Sequence, residues 1–199
     1  MERGKGKRRN QYVKDYVVFD LETTGLSPEK DEIIEISGIK VRDGRAAEEF
    51  STLVNPGRPI PSGATKVNGI TDRMVQDAPM LKTALEQFLV FAGDDILVGH
   101  NIHSFDMNFL YNGVMKTLGR EVANDYVDTL YLARSCMPQM YRYRLTDLAD
   151  HFGIETKGAH RALQDCVMNQ QCYERMGRLL EKQKGSGAAG QASVTCPKC

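Results

Sequence analysis

The sequence contains no run of apolar residues that approaches the roughly 20 residues an α-helix needs to cross a bilayer. Its basic start is not followed by the apolar core of a signal peptide either, because acidic residues interrupt the first apolar stretch. Of the five cysteines, Cys136, Cys166 and Cys172 lie in apolar or helical segments, which does not suit a disulfide framework. We therefore expect a cytoplasmic protein from a reducing compartment, without a membrane partner.

The chain also lacks a net charge, with 26 basic and 26 acidic residues. The charge is unevenly distributed, since the first ten residues carry a net +4 and the remaining 189 carry −4. A basic arm of this kind can contact phosphates through charge alone, but basic termini are also common as solubilising tails. Both interpretations of the arm stay open.

The composition predicts one globular domain with two tails. With 199 residues, of which 41% are apolar, the chain is long enough to bury one core, and it shows no internal repeat. We expect a flexible basic arm over residues 1–13 and a folded domain over residues 14–182. A flexible tail rich in glycine, alanine and serine should cover residues 183–199.

The first half of the domain has the pattern of a mixed sheet. Residues 16–19, 32–41 and 49–54 are typical of strands, and Asp43-Gly44 between the last two is a type I′ hairpin signal. These segments predict an antiparallel three-stranded meander. A helix over residues 81–91 followed by a buried strand over residues 95–99 then indicates a sheet with helices beside it.

Three further helices are predicted from periodicity and caps. Ser104 is a candidate N-cap for a helix that ends at about Leu118, and Thr146 is one for a short helix that ends near Gly153. A long final helix should run from about His160 to Lys182.

Two acidic residues end the first long strand. Asp20 and Glu22 are two positions apart, so their side chains leave the same face of the strand, roughly 7 Å apart along the backbone. Unpaired carboxylates at the end of an apolar strand are costly to keep ionised. If Asp106 and Asp165 join them, like charges about 4 Å apart repel by roughly 4 kcal/mol per pair at an effective dielectric constant of 20. Such a cluster requires bound cations.

Oxygen ligands of this kind favour Mg²⁺ or Mn²⁺ over Zn²⁺, and two such ions suit hydrolysis of a phosphodiester. His160, five residues before Asp165, could accept the proton of the attacking water, because a histidine titrates near neutral pH. Asp106 could instead only stabilise the start of its helix, and His160 and Asp165 could be surface residues. Their joint occurrence favours a catalytic site.

At these residues the chain resembles the DEDDh group of DnaQ-like 3′-to-5′ exonucleases, which includes the proofreading subunits and domains of bacterial replicative DNA polymerases. Three motifs carry the resemblance: residues 18–26, residues 99–110 and residues 160–165. Shorter matches are Val67-Asn68-Gly69-Ile70-Thr71, Asp128-Thr129 and Leu145-Thr146-Asp147-Leu148.

The resemblance implies an α/β, ribonuclease-H-like fold with a mixed five-stranded sheet flanked by helices. It also implies a role for each matching residue: Asp20, Glu22, Asp106 and Asp165 as metal ligands, His160 as general base, and Thr23, Leu26, His100, Asn101 and Phe105 beside the substrate. Phe105 and Phe109 could stack on a base, although core packing is the better interpretation of both.

The chain departs from the family pattern in three places. One additional residue separates His100 from Asp106, Asn68 stands where histidine is common, and Cys166 stands where alanine is common. We interpret Cys166 as a small core residue rather than a ligand.

Cys196 and Cys199 have the spacing of half a tetrahedral zinc site. They could be a fragment of a longer zinc ribbon, a site shared between two chains, or a tail without function. A structural Zn²⁺ would bind there only if another segment or chain completed the site.

The leading functional hypothesis is a two-metal exonuclease that releases nucleoside 5′-monophosphates from the 3′ ends of single-stranded DNA, in proofreading or repair, with a DNA polymerase as candidate partner. Two alternatives remain: an RNA 3′-end exoribonuclease of the same family, and a catalytically silent module that binds nucleic-acid ends or a polymerase.

Overall fold

The computed structural model describes residues 5–156 and 161–188 of the chain. Its elements in chain order are β1 (Arg8–Arg9), β2 (Tyr16–Thr23), β3 (Ile33–Arg42), β4 (Arg45–Leu53), α1 (Ser62–Asn68), α2 (Asp72–Val75), α3 (Leu81–Ala92), β5 (Leu97–Gly99), α4 (Asp106–Leu118), β6 (Tyr126–Asp128), α5 (Thr129–Cys136), α6 (Leu145–Phe152) and α7 (Ala162–Ala188).

The strands form one mixed sheet in the order β1-β6-β5-β2-β3-β4. Strands β2, β3 and β4 are antiparallel neighbours, which confirms the predicted meander. Strands β5, β6 and β1 run parallel to β2. The carboxyl ends of four strands therefore lie at one edge of the sheet, where ligands bind in open α/β sheets.

The sheet has six strands in the described residues, so the predicted number of five was wrong. The sixth is β1, where Arg8 pairs with Tyr126 and Arg9 with Val127. The carboxylate of Asp125 holds this strand, accepting hydrogen bonds from the Lys7 N–H at 2.8 Å and from Arg9 Nε at 2.7 Å. Part of the predicted flexible arm is therefore an edge strand.

The hairpin between β3 and β4 has the predicted turn. Arg42 pairs with Arg45 across a two-residue loop, in which Asp43 has a φ of 48° and Gly44 a φ of 74°. A type I′ turn requires positive φ at both central positions.

The core lies on both faces of the sheet, because alternate strand residues point to opposite sides. On one face Val18, Ile39 and Val41 pack with buried residues of α5, α6 and α7. On the other, Phe19 and Ile36 pack with buried residues of α3 and α4. Cys166 is fully buried, and its thiol donates to the Ser37 carbonyl at 3.5 Å, which confirms its interpretation as a core residue.

Both predicted N-caps were wrong. Helix α4 begins at Asp106 with Phe105 at the N-cap position and no side-chain cap, so Ser104 lies outside it. Helix α6 begins at Leu145, one residue before Thr146, and the N–H of its N-cap residue Arg144 donates to the Asp147 carboxylate at 2.9 Å. In both cases backbone carbonyls accept from N–H groups that the candidate caps would have bound, with Met107 N–H donating to Ile102 and Leu148 N–H to Arg144.

Other boundaries also differ from the predictions. Strand β5 begins at Leu97 rather than at residue 95, and α7 continues past Lys182 to Ala188. The expected helix start at His160 lies outside the described residues. Helices α1, α2 and α5 and strand β6 were not predicted. No helix within the described ranges has both the length and the apolar character that a membrane crossing requires.

Candidate active site

Three of the four predicted metal ligands meet at the carboxyl end of β2. Asp20 and Glu22 lie on β2, and Asp165 lies in the first turn of α7, which packs across β2 and β3. One carboxylate oxygen from each residue lies within 4.8 Å of the other two. A separation of more than 140 residues in sequence is thus closed by the packing of one helix on the sheet.

Asp106 lies beside this cluster but outside the group of three. It is buried at the start of α4, and its Oδ1 accepts a hydrogen bond from the Leu21 N–H at 3.1 Å. Among the neighbouring charges, the carboxylate of Asp106 raises the pKa of Asp20 the most. The backbone between Asp20 and Glu22 therefore holds the fourth carboxylate next to the other three.

The protonation of these carboxylates is strongly affected by burial. Loss of hydration raises the pKa of Asp20 well above its usual range, and the carboxylates of Asp106 and Asp165 raise it further. Burial also raises the pKa of Glu22 to about 7, although a hydrogen bond from the Asn68 side chain opposes the shift. Burial raises the pKa of Asp106 to about 7 in the same way. The cluster therefore resists full ionisation unless a cation compensates it.

Glu35 fixes the start of α7 and was missed by the sequence analysis. It is buried on β3 opposite Glu22. Its carboxylate accepts hydrogen bonds from Arg161 Nη2 at 2.7 Å, from Arg161 Nε at 3.2 Å and from the Ala162 N–H at 3.1 Å. A charged residue inside the apolar run Ile33–Ile36 was the signal that could have identified it.

The predicted general base, His160, lies outside the described residues, as do Cys196 and Cys199. Arg161, which follows His160 in sequence, is described, and its guanidinium is held by Glu35 beside Glu22.

Three predicted substrate residues line one pocket beside Glu22. Thr23, Leu26 and Phe105 form part of a cavity of about 360 Å³, and Leu26 is 84% exposed. The opposite wall is α1, which contributes Val67 and Asn68. The sequence analysis did not identify Val67 as a pocket residue. Phe109 packs against Phe105 with ring centroids 5.0 Å apart, but it belongs to the core, as predicted.

The other two predicted substrate residues, His100 and Asn101, follow β5 and line a separate groove of about 610 Å³. The Nδ1 of His100 lies 3.0 Å from Thr129 Oγ1, and the ring also bonds to the backbone of Tyr143. Burial lowers the pKa of His100. The imidazole is thus neutral at neutral pH, and it connects the start of α5 to the backbone at Tyr143.

Asp128 holds the loop between β5 and α4, in which the sequence predicts one additional residue. This aspartate is buried at the end of β6 and accepts hydrogen bonds from the N–H groups of Asn101, His103 and Leu130, at 3.0, 2.9 and 3.0 Å. Asn101 has a φ of 60°, which asparagine tolerates better than most residues. The loop that precedes Asp106 is therefore a turn with several hydrogen bonds, and its additional length relative to the family stays a prediction.

Comparison with known families gives one match over most of the chain. The family model described as exonuclease, RNase_T, matches residues 17–173. The DNA polymerase III subunit epsilon of Aquifex aeolicus is 39% identical over 166 residues, covering 83% of this chain and 82% of that protein. The PolC-type DNA polymerase III of Bacillus subtilis is 45% identical over 151 residues, covering 75% of this chain. The chain spans only about a tenth of the PolC-type relatives it matches.

Solved structures show the same fold. Exonuclease X in complex with 5′ overhanging duplex DNA is 27% identical, with a TM-score of 0.67, and the match covers 85% of this chain and 93% of that one. E. coli exonuclease I in complex with a dA16 oligonucleotide has a TM-score of 0.74 at 19% identity, with the match covering 85% of this chain and 43% of that one.

Proposed function

This chain belongs to the exonuclease family, and we propose that it is a metal-dependent 3′-to-5′ exonuclease that removes nucleoside 5′-monophosphates from single-stranded DNA. The observation that carries the proposal is the group formed by Asp20, Glu22 and Asp165, with carboxylate oxygens within 4.8 Å of one another. A family match over residues 17–173 supports the same activity.

The carboxylates fit divalent cations. Their oxygens are hard ligands, and burial together with the neighbouring carboxylates raises the pKa values of Asp20 and Glu22, so a bound cation would favour their ionised forms. Asp20, Glu22 and Asp165 would hold Mg²⁺ or Mn²⁺, with Asp106 completing a second position. Two bound ions would lower the pKa of the attacking water and stabilise the leaving oxygen.

The pocket beside Glu22 suits a terminal nucleotide. Its lining is largely apolar, and the exposed side chains of Leu26 and Val67 face a base-sized space across from Phe105. We assign the base and sugar of the 3′-terminal nucleotide to this pocket, with Thr23 beside them. The scissile phosphate would then lie at the carboxylate cluster, because Glu22 borders both the pocket and the cluster.

His160 is the proposed general base. It would accept the proton of the attacking water, and its neighbour Arg161 is anchored to Glu35 next to the cluster. On this proposal His160 reaches the site from the segment that precedes α7.

The names of the relatives support a role in replication. We propose that the domain removes nucleotides in proofreading or repair in the cytoplasm, together with a DNA polymerase. The match to 82% of a polymerase III epsilon subunit supports a polymerase as partner.

The test uses single-stranded DNA and RNA oligonucleotides labelled at the 3′ or the 5′ end, with Mg²⁺, Mn²⁺ or EDTA. We expect stepwise, metal-dependent shortening of DNA from its 3′ end and release of nucleoside 5′-monophosphates. Faster shortening of RNA would replace the DNA assignment by RNA trimming. Absence of cleavage with either metal would favour the silent binding module.

A matched pair of variants connects this activity to the site. Asp165→Asn should abolish turnover, because it removes a charged ligand with almost no change in shape. Asp150→Asn makes the same change at an exposed position of α6 and should leave the rate unchanged. Equal rates for both variants would contradict the proposed metal site.

A further inference from the structure

We propose that a second surface, the basic aromatic band, binds the part of the nucleic-acid strand that lies upstream of the 3′-terminal nucleotide. The band consists of Arg8, Tyr131, Arg134, Tyr141, Arg142 and Tyr143. The inference rests on the proposed exonuclease function, since it assigns the path of the substrate outside the active site.

The band begins at the edge of the sheet that carries the carboxylates. Val18 of β2 pairs with Val98 of β5, and two residues further along these parallel strands come Asp20 and His100. His100 and Asn101 line the groove of about 610 Å³, and Arg134, Tyr141 and Arg142 line it further out. A nucleic-acid strand whose 3′ end lies at the carboxylate cluster therefore has this groove directly beside it.

Charge favours a polyanion in this groove. Arg134 and Arg142 are exposed, and neither has an acidic partner within 4.0 Å in the part of the chain that the structure describes. In contrast, Arg144 forms an ion pair with Asp147 at 2.7 Å. None of the described residues that line the groove is acidic. Two exposed guanidinium groups that form no close ion pair among the described residues can therefore bind successive phosphates at this groove.

Aromatic rings alternate with these cations. The Arg8 guanidinium lies 4.1 Å from the centroid of the Tyr131 ring, and Arg134 lies 5.9 Å from the rings of both Tyr131 and Tyr143. Tyr141 is 93% exposed, with Arg142 at 5.7 Å. Its ring is therefore accessible as a stacking platform for a base.

The combination of arginine side chains and exposed aromatic rings favours single-stranded nucleic acid over the other ligands that a basic surface can bind. Proteins that bind single strands without sequence preference combine a positive groove for the backbone with aromatic rings on which bases stack. A paired duplex could use the positive charges, but its bases could not stack on Tyr141. The band therefore predicts that affinity increases with the length of the single strand.

The test compares variants on a short and a long oligothymidylate. Arg134→Gln combined with Arg142→Gln should raise KM for the long strand by roughly ten-fold at low salt, because the variant cannot form charge-assisted hydrogen bonds to the phosphates. The log–log salt slope of binding should decrease by about 0.7 for each phosphate that the variant no longer binds. kcat, and the rate on a thymidine dinucleotide that cannot reach the band, should not change.

Two controls separate the band from general effects. Arg175→Gln combined with Arg178→Gln removes the same charge from exposed positions of α7 and should leave KM and the salt slope unchanged. Tyr141→Ala should weaken binding of the long strand by roughly five-fold or more, whereas Tyr141→Phe retains the ring and should bind like the unaltered protein.

Equal affinity of the unaltered protein and the double variant Arg134→Gln/Arg142→Gln for the long strand would overturn the inference. Binding is measured by fluorescence anisotropy in EDTA, so this result does not depend on cleavage. If no oligonucleotide is shortened with Mg²⁺ or Mn²⁺ but the double variant still loses affinity, the exonuclease proposal fails and the binding surface stands.

Discussion

Glu35 has the properties of a positioning residue at the proposed site. It bonds to Arg161 and to the Ala162 N–H, and it carries no predicted role in metal binding. Glu35→Gln keeps the shape but removes the charge, so the start of α7 and Asp165 should lose their fixed orientation. Because changes around metal ligands typically cost 10- to 100-fold in metal affinity or activity, we expect kcat to fall by roughly that factor while KM for the oligonucleotide changes little.

Steady-state kinetics at several Mg²⁺ concentrations measures this effect. The matched control is Glu174→Gln. Glu174 lies on α7, away from its start, and its carboxylate accepts hydrogen bonds from the hydroxyls of Tyr12 and Tyr16. Both variants should lower the melting temperature, but only Glu35→Gln should lower kcat and raise the Mg²⁺ requirement. If the two variants lose the same activity, Glu35 contributes only to stability.

The raised pKa values of the cluster predict how stability depends on pH without metal. The pKa of Glu22 is about 7 in the folded protein and near 4.5 in its ordinary state, so between these values the folded chain retains a proton that the unfolded chain has lost. Stability falls with rising pH wherever the folded state binds more protons. In EDTA the contribution of Glu22, Asp20 and Asp106 should therefore decrease the melting temperature as the pH rises from about 5 to 8.

Thermal melts in EDTA and in Mg²⁺ test this sign. Mg²⁺ should raise the melting temperature more at pH 8 than at pH 5.5, because it binds the ionised carboxylates. Glu22→Gln removes one titrating group and should flatten the profile in EDTA. A melting temperature in EDTA that rises over this range for the unaltered protein, with no flattening in the variant, would contradict the assignment.

The two acids on β2 could be predicted as a pair because their spacing is local. Asp106 and Asp165 were predicted only through their joint occurrence and the family resemblance, and the structure places Asp165 in the group of three and Asp106 beside it. Glu35 was not predicted, because its role depends on contacts with residues 126 and 127 positions away. The role of His160 as base stays a prediction.

At the level of single elements, the β3–β4 hairpin gives a clear test of turn chemistry. Gly44 has a φ of 74°, and a Cβ atom placed there would lie 2.7 Å from an oxygen of Glu174. Gly44→Ala should therefore destabilise the fold by about 1–2 kcal/mol through backbone strain. The turn lies at the far end of β3 from the carboxylates, so kcat should not change.

Urea unfolding and an exonuclease assay together measure this prediction. Asp43→Asn is the control, because asparagine also tolerates the φ of 48° found at this position. It should leave the free energy of unfolding nearly unchanged. A Gly44→Ala protein as stable as the control would show that the turn can relax to another type.

Elements with a complete local pattern were predicted, and elements that depend on distant partners were not. The meander and helix α3 have strand-like or helical periodicity and their own turn signals, and the structure confirms them. Strand β1 consists of two arginines without an apolar pattern, and it exists because β6 offers an unpaired edge. The two wrong caps show the same limit, since backbone groups at a helix start accept whichever partner the tertiary structure brings nearest.

At the level of the whole molecule, the described part of the basic arm, from Lys5 onwards, meets the rest of the domain at the edge of the sheet. Arg9 forms an ion pair with Asp125 at 2.6 Å, so it is a structural residue. Lys5 and Arg8 instead lie over the rings of Tyr111 and Tyr131, at 4.6 and 4.1 Å, with no carboxylate within 4.0 Å in the described ranges. Within this short arm, Arg9 therefore stabilises the fold, while the charges of Lys5 and Arg8 remain available for phosphates.

This division predicts different results for two changes to the arm. A chain that begins at Asn10 loses β1 and the hydrogen bonds to Asp125, so both its melting temperature and its salt slope for single-stranded DNA should decrease. Lys5→Gln combined with Arg8→Gln retains the strand, so the melting temperature should be unchanged while the slope decreases by about 0.7 for each phosphate that the arm no longer binds. Affinities at several salt concentrations and thermal melts of the three proteins measure both effects. If the substituted chain keeps the full slope, Lys5 and Arg8 bind no phosphate, and this prediction for the two side chains is wrong.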